Sequence, residues 1–527
     1  MTADTFRAPY AMRLTRYVYI PMRDGVRLAC DIYRPTGPGR FPFLMVRTPY
    51  NKNGFERQEA EYFVRRGYGV CVVDARGAGG SEGEFTYYNI PAGLGDGADA
   101  VNWLAGQPFC TGSVGTYGGS ALGAYQLLAA AQKPEPLKAM FVEVPPVRFY
   151  HDNWFVGGIF ETGSRIGWLE SMTNNIGAGA ALGEVDGEID PDGDGLRRRV
   201  ALERLKLRER RALEGKCPTP QDWFVAMRRH TELDDFWRAY DLTGIVRACD
   251  IPTCYLGVWY DHFVRGTCEA YALHRGPKHL FLTPGEQGAH GPHADLDRRQ
   301  ARLRWFDYHL KGIQNGVMDE PAVKVFVMGE ERWKEFADWP PAGAAAELAL
   351  SAGGRLTDPS NAEPFEDRYI HDPQEPIQSI ETPLDIRAFE GRAATYTSAP
   401  LESDLTVIGT PVARLFHRSS ATDGHVILKL ADVFPDGRSR QVAYGRLRVA
   451  HRGGHDRAVP LPPNETVELT IPLWPVANTF KAGHCVRLVV AGSDAPRSEV
   501  YPERAENAVV GTADALPVLD LPTVTSP

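Results

Sequence analysis

No apolar run in this chain approaches the roughly 18–20 residues needed to cross a bilayer, so a membrane-spanning helix is not expected. The first twenty residues, MTADTFRAPYAMRLTRYVYI, contain no apolar core of a secretory signal. Positive charge is also short: 58 Lys and Arg against 67 Asp and Glu leave a formal charge of −9. A nucleic-acid partner needs a basic face, and that class is set aside. The cysteines (Cys30, Cys71, Cys110, Cys217, Cys249, Cys254, Cys268, Cys485) are scattered without a C-x-x-C pair. Such spacing fits neither a zinc knuckle nor a disulfide framework, and it predicts reduced thiols in a cytoplasmic protein. Nucleotide fingerprints are missing as well. DARGAGGSEG (74–83) follows a strand-like run but lacks the G-x-G-x-x-G spacing and opens no helix, and no G-x-x-x-x-G-K-[ST] loop occurs. No cofactor and no metal are expected.

What is present divides into three textures over 527 residues, too many for one ordinary domain. Short, nearly continuous apolar runs, FPFLMVRTP (41–49), YGVCVVDAR (68–76), SVGTYGG (113–119) and AMFVEVP (139–145), read as buried strands. Helical patterns at 56–67 and 95–106 lie between them, which predicts a mostly parallel sheet covered on both faces. The alternation resumes at IPTCYLGVWYD (251–261) and KHLFLTPG (278–285), followed by a helix over 297–312. The interval of roughly 147–246 carries helical periodicity without a strand-like run and reads as a cap inserted over the sheet edge. From Pro321 onward, VKVFVMG and later runs joined by Pro, Gly, Asn and Asp turns predict a separate all-β domain, sandwich or jelly roll.

One hydroxyl stands out. GTYGGSALGA (115–124) reads as a strand end, a glycine corner and the first turn of a helix, with Ser120 at the corner. The nucleophile elbow G-x-S-x-G wants a second glycine two residues after the serine, and Leu122 is there instead. Alone, the stretch is as readable as a structural turn. Gly118, Gly119, Ala121 and Gly123 nevertheless supply the small neighbours that a strained corner needs, and Ser120 lies beyond a strand's carboxyl end at the positive end of a helix. A serine nucleophile on such a sheet takes its acid and base in the order Ser, Asp, His. Asp261 ends the strand-like CYLGVWYD, and His290 lies on a Gly-rich loop just past the next strand, with His293 as the second candidate base.

These residues carry a resemblance that covers nearly the whole chain. DGVRLACDIYRP (24–35), VRTPYNK (46–52), VVDARGAGGSEGEF (72–85), GGSALG (118–123), GVWYD (257–261) and WFDYHLKG (305–312) together resemble the α/β-hydrolases of the cocaine esterase/NonD (CocE/NonD) type. That group is related to Xaa-Pro dipeptidyl peptidases (S15) and α-amino-acid ester hydrolases. The resemblance implies an α/β-hydrolase fold with a catalytic domain in two parts (1–146 and 247–316), a helical cap (147–246) and a C-terminal jelly roll (317–527). It implies Ser120 as nucleophile, His290 as general base and Asp261 as its orienter. It also implies an oxyanion hole from the Tyr50 hydroxyl and the backbone N–H of Ala121.

Two departures from the group are informative. A bulky aromatic usually follows the nucleophile, and Ala121 here predicts a roomier pocket. The histidine usually follows a Gly-Pro-Trp-type run, whereas this loop reads PGEQGAHGPH. Trp154 and Trp259 are candidate pocket residues, with Asp152 and Glu161 as candidate anchors for a substrate ammonium. EIDPDGDG (188–195) begins like an EF-hand loop, but Ala201 occupies the place of the bidentate acid, and an ordinary acidic loop is the expectation. The expected activity is hydrolysis of a small-molecule ester or amide through an acyl-enzyme. An Xaa-Pro dipeptidyl peptidase, an α-amino-acid ester hydrolase or acyltransferase, and a catalytically silent ligand-binding protein remain alternatives, and relatives of this type are often homo-oligomers.

Overall fold

The computed structural model describes residues 10–54, 57–90, 94–176, 220–285, 296–380 and 382–524, with Glu188, Ile189 and a few single positions up to residue 202. An antiparallel hairpin, β1 (Met12–Pro21) and β2 (Arg27–Pro35), precedes the apolar strands β3 (Phe41–Thr48), β4 (Gly69–Asp74), β5 (Cys110–Gly119) and β6 (Leu137–Glu143). After a two-stranded hairpin, β7 (Phe155–Val156) and β8 (Ile159–Phe160), and the short β9 (Glu188–Ile189), the sheet resumes. Its later strands are β10 (Thr253–Val258), β11 (Lys278–Thr283), β12 (Val323–Val327) and β13 (Arg332–Phe336). All join one eleven-stranded sheet in the order β13-β12-β11-β10-β6-β5-β3-β4-β2-β1-β9, apart from the β7–β8 pair.

The strands from β4 through β12 in that order are parallel, and antiparallel strands flank them on both sides. Parallel strands are buried on both faces, which is why β3, β4 and β6 read as almost unbroken apolar runs. β4 lies on one side of β3 and β5 on the other, so the chain crosses over between them. That reversal opens a crevice at the carboxyl ends of β3 and β5, where ligands bind in such sheets.

Helices α1 (Arg57–Val64), α2 (Leu94–Ala105) and α3 (Ala121–Ala130) fill the crossovers. α3 is apolar nearly all round because it is buried, and its Gln126 is satisfied internally. The amide donates to Gly118 O at 3.0 Å and Phe141 O at 3.2 Å, and its oxygen accepts from Thr116 Oγ1 at 3.1 Å. The helix Arg298–Lys311 starts on Asp297, whose carboxylate accepts from the amides of Arg299 and Gln300, and stops at Gly312 with φ 70°. Its Arg302 pairs with Glu59 of α1 and Glu143 at the end of β6, pinning the helix to the sheet.

Two expectations are corrected. VKVFVMG, expected in the β domain from 317 onward, instead enters the first sheet as β12, parallel to β11, with β13 closing that side. A short apolar run satisfies either sheet equally well, and only tertiary pairing decides between them. The interval 147–246 is mainly helical where described, in α4 (Thr162–Ile176), Pro220–Arg229, Asp235–Arg238 and Thr243–Ala248. It also holds a π-helical turn, Phe149–Trp154, and the β7–β8 hairpin turning at Gly157 and Gly158. A Cβ on Gly157 would stand 1.9 Å from Arg446 O, so only glycine lets this hairpin reach the second domain. That domain is an all-β unit from Ala344 to Thr523 organised as one thirteen-stranded, mostly antiparallel set. Together these parts form an α/β-hydrolase fold with a cap and a C-terminal all-β domain.

Gly123 takes the place of the glycine missing from the elbow. A Cβ there would meet Glu143 O at 2.9 Å and the Pro145 Cβ at 3.2 Å, and the same carbonyl accepts the Ser120 amide at 3.0 Å. Gly123→Ala is therefore expected to lower stability by about 1–3 kcal/mol through overpacking, measured by urea unfolding.

Candidate active site

The corner at Ser120 is strained in the way a nucleophile elbow is. Its backbone sits at φ 58°, ψ −122°, a region that costs a side-chain-bearing residue about 1–3 kcal/mol. The Ser120 carbonyl accepts from the amides of Gly123 and Ala124, so α3 begins directly at the corner. The hydroxyl is half-buried and stands at the carboxyl end of β5.

Tyr50 comes to it from the end of β3. The loop that carries it is fixed from beneath by Lys52, which is fully buried. The Lys52 ammonium lies 2.8 Å from Asp31 and 3.5 Å above the Tyr17 ring, and its amide donates to Asp74 Oδ1 at 2.5 Å. Asp74 Oδ2 in turn accepts from the amide of Gly80 at 2.7 Å. The glycines of DARGAGGSEG thus wrap a buried carboxylate rather than a phosphate. A Cβ on Gly79 would touch that carboxylate at 2.2 Å. Burial outweighs the Lys52 charge and pushes the Asp74 pKa up to about 6.

The Tyr50 hydroxyl lies beside Ser120 and the Ala121 amide, whose dipoles act on it, and it accepts from Trp168 Nε1 at 2.9 Å. Burial raises its pKa above the ordinary phenol value, against the pull of these partners, so it remains a proton donor. Accepting from Trp168 polarises the phenol and strengthens the hydrogen bond that it can donate. Trp168 lies on α4 and packs edge-on to Tyr87 and stacked on Tyr88, at 5.4 and 5.8 Å between ring centroids. Nothing in the sequence marked Trp168. Its role depends on where the cap lies over the sheet.

Asp261 follows β10, in the turn where Tyr260 takes φ 70°. It is 2% exposed, and its Oδ1 accepts from the Phe263 amide at 2.7 Å. The β domain holds this turn from the other side. Tyr260 donates its hydroxyl to Gln441 O at 3.0 Å, and Trp474 Nε1 donates to His262 O at 3.4 Å. Both candidate bases, His290 and His293, lie outside the described residues, as do Asp190, Asp192 and Asp194 of the acidic loop. Among the described residues, Ser120, Tyr50, Ala121 and Asp261 stand at carboxyl ends of the parallel strands.

The candidate pocket residues are committed elsewhere. Asp152 is buried and pairs with Arg265 at 3.0 Å, and it also accepts from the Arg148 amide at 2.9 Å. Glu161 forms a buried ion pair with Arg446 of the β domain. Trp154 Nε1 donates to the Tyr87 hydroxyl at 2.8 Å, joining the aromatic cluster behind Trp168. Trp259 is buried, and its Nε1 donates to Phe326 O of β12 at 2.8 Å. The two carboxylates are thus structural ion pairs in this structure rather than free anchors. Among the described residues, no group of three or more His, Cys, Asp or Glu is placed to hold a metal ion, and no helix is long and apolar enough to cross a membrane.

A family profile described as X-Pro dipeptidyl-peptidase (S15 family) matches residues 24–290. A second, the X-Pro dipeptidyl-peptidase C-terminal non-catalytic domain, matches residues 315–518. The chain is 29% identical over 533 residues to a cocaine esterase of a Rhodococcus species, covering 91% of each. An aminopeptidase from a Thaumarchaeota archaeon of marine sediment superposes with a TM-score of 0.83 at 23% identity, over 100% of this chain and 98% of that one. An α-amino acid ester hydrolase superposes with a TM-score of 0.81 at 23% identity, over 99% and 98%. At these identities the two structures show a likeness of fold.

Lys52 is the cation on which the Tyr50 loop rests. Lys52→Met leaves two buried carboxylates without it and is expected to cost about 3–5 kcal/mol, read as a fall in the denaturant midpoint.

Proposed function

The chain belongs to the X-Pro dipeptidyl-peptidase S15 family and is a serine hydrolase of ester or amide bonds, and from that premise we propose that Ser120 is its nucleophile. In this reading the Ser120 oxygen attacks the substrate carbonyl while His290 takes its proton, and Asp261 orients and stabilises the imidazolium. The Tyr50 hydroxyl and the Ala121 N–H stabilise the oxyanion of the tetrahedral intermediate. Collapse expels the alcohol or amine, protonated by His290, and water then cleaves the acyl-enzyme by the same route. The observation that carries the reading is the meeting of the Tyr50 hydroxyl, the Ser120 hydroxyl and the Ala121 amide at a strained strand-to-helix corner.

Within this class, the ion pairs of Asp152 and Glu161 favour an esterase or acyl hydrolase over an aminopeptidase-like activity. An ammonium-recognising site needs a carboxylate that is not already neutralised. The substrate is a small-molecule ester or amide. The thiols of seven described cysteines are unpaired, which suits a reducing cytoplasm.

A fluorophosphonate probe should label the wild type and not Ser120→Ala, and absence of labelling in the wild type would identify a silent binding protein. His290→Ala should remove nearly all of kcat while His293→Ala leaves most of it, and the reverse result would move the base to His293. Tyr50→Phe should lower kcat by about 10²–10³ with a much smaller change in KM. Because burial keeps the Tyr50 phenol protonated, the wild-type rate should show no alkaline limb below about pH 10 from this group.

A further inference from the structure

Three arginines are buried to a similar depth: Arg47, Arg165 and Arg446, at 6%, 4% and 5% exposure. Two of them face an anion or a ring, although Nη1 of Arg47 has no hydrogen-bond partner. Arg446 pairs with Glu161 and donates to Ser498, and Arg47 lies over the Tyr125 ring at 4.4 Å. Arg165 has neither kind of partner. Its guanidinium reaches Ser164 Oγ at 3.3 Å, His262 Nε2 at 3.3 Å and the Tyr87 hydroxyl. Among the described residues, no carboxylate lies within ion-pair distance of it and no ring lies beneath it. A buried guanidinium surrounded only by neutral acceptors is costly and is retained where an anion completes it.

Its position says what that anion belongs to. Arg165 and Trp168 are three residues apart on α4 and therefore share a face. Trp168 holds the Tyr50 phenol, and Arg165 reaches His262, the residue after Asp261. The guanidinium thus spans from the oxyanion side of the site to the turn that carries the acid. Arginine only donates, so His262 accepts through Nε2 and carries its proton on Nδ1. Burial, followed by the charges of Arg165, Arg497 and Arg446, holds the His262 pKa well below its ordinary value, so the imidazole stays neutral and leaves the site cationic.

We propose that Arg165 receives a carboxylate of the substrate, so that this enzyme hydrolyses esters or amides that carry a free carboxylate near the scissile bond. This rests on the serine-hydrolase reading with Ser120 as nucleophile. The planar fork of the guanidinium suits a carboxylate in a bidentate pose, and His262 and Ser164 hold it there before substrate arrives. The reaction is unchanged: the carboxylate binds, and the acyl carbon is still the one that Ser120 attacks. The anion belongs either to the acyl part or to the leaving group.

Two matched substrate pairs separate those sources. For the acyl side the pair is p-nitrophenyl hemisuccinate and p-nitrophenyl pentanoate. For the leaving-group side it is p-carboxyphenyl butanoate and p-carbamoylphenyl butanoate. The wild type is expected to favour the carboxylate member of one pair by about tenfold or more in kcat/KM. Arg165→Gln should reduce that ratio by about tenfold or more, and Arg165→Lys, which keeps the charge but not the fork, should retain part of it. No carboxylate preference in either pair would overturn the inference. So would a ratio that survives Arg165→Gln, since equal losses on charged and neutral esters mean that the guanidinium acts on the oxyanion or on packing. Fluorophosphonate labelling of the same wild-type preparation keeps the two readings apart. Labelling without anion preference sinks this inference alone, whereas no labelling sinks the nucleophile assignment and this inference with it.

Discussion

The carbonyl of Glu143 is the point on which the catalytic half is organised. It accepts the Ser120 amide and thereby holds the left-handed corner closed, and it leaves Gly123 no room for a side chain. The carboxylate of the same residue pairs with Arg302, which also pairs with Glu59. One strand end thus fixes the backbone of Ser120, the first turn of α3 and the helix Arg298–Lys311. A conformation that costs about 1–3 kcal/mol can persist only where the surroundings determine it from several sides, and here they do.

Charge is arranged around the site in nested layers. Lys52 between Asp31 and Asp74 supports the loop of Tyr50 from inside the sheet. Arg265 and Arg446 neutralise the cap carboxylates Asp152 and Glu161. Tyr50, Trp168 and Tyr87 add hydroxyl and indole groups that keep the region beside Ser120 polar without adding negative charge. The fixed dipoles of these groups suit the negative charge that the proposed acyl transfer develops, while the paired cations hold the surrounding frame.

Much of this was legible in the sequence, for identifiable reasons. The strands β3, β4, β5, β6, β10 and β11 are buried on both faces, and unbroken apolar runs betray such strands. The positions of Ser120 and Asp261 at strand ends could be read because each follows one of those runs. β1 and β2 carry no such run, since Arg13 and Arg16 interrupt a first strand that is only partly buried and Asp31 and Arg34 break the second. Tyr50 was reachable only through the family resemblance, because an isolated tyrosine after a strand signals nothing. Trp168 and Arg165 were beyond reach. α4 has a weakly patterned sequence, and what its two residues meet depends on how the cap lies on the sheet. Asp152 and Glu161 were visible as acids, but their arginine partners are 113 and 285 residues away in the chain.

The grip of the β domain on the Asp261 turn has an evolutionary consequence. Tyr260 and Trp474 both donate to main-chain carbonyls across the boundary, at Gln441 and His262. A backbone carbonyl is present whatever the side chain, so residue 441 can drift without releasing the turn, provided that the strand path is kept. Selection then acts on the shape of the second domain more than on its letters. Recombination that exchanged β domains between distant homologues could leave the acid in register, while a shift of one residue in the strand carrying Gln441 could not.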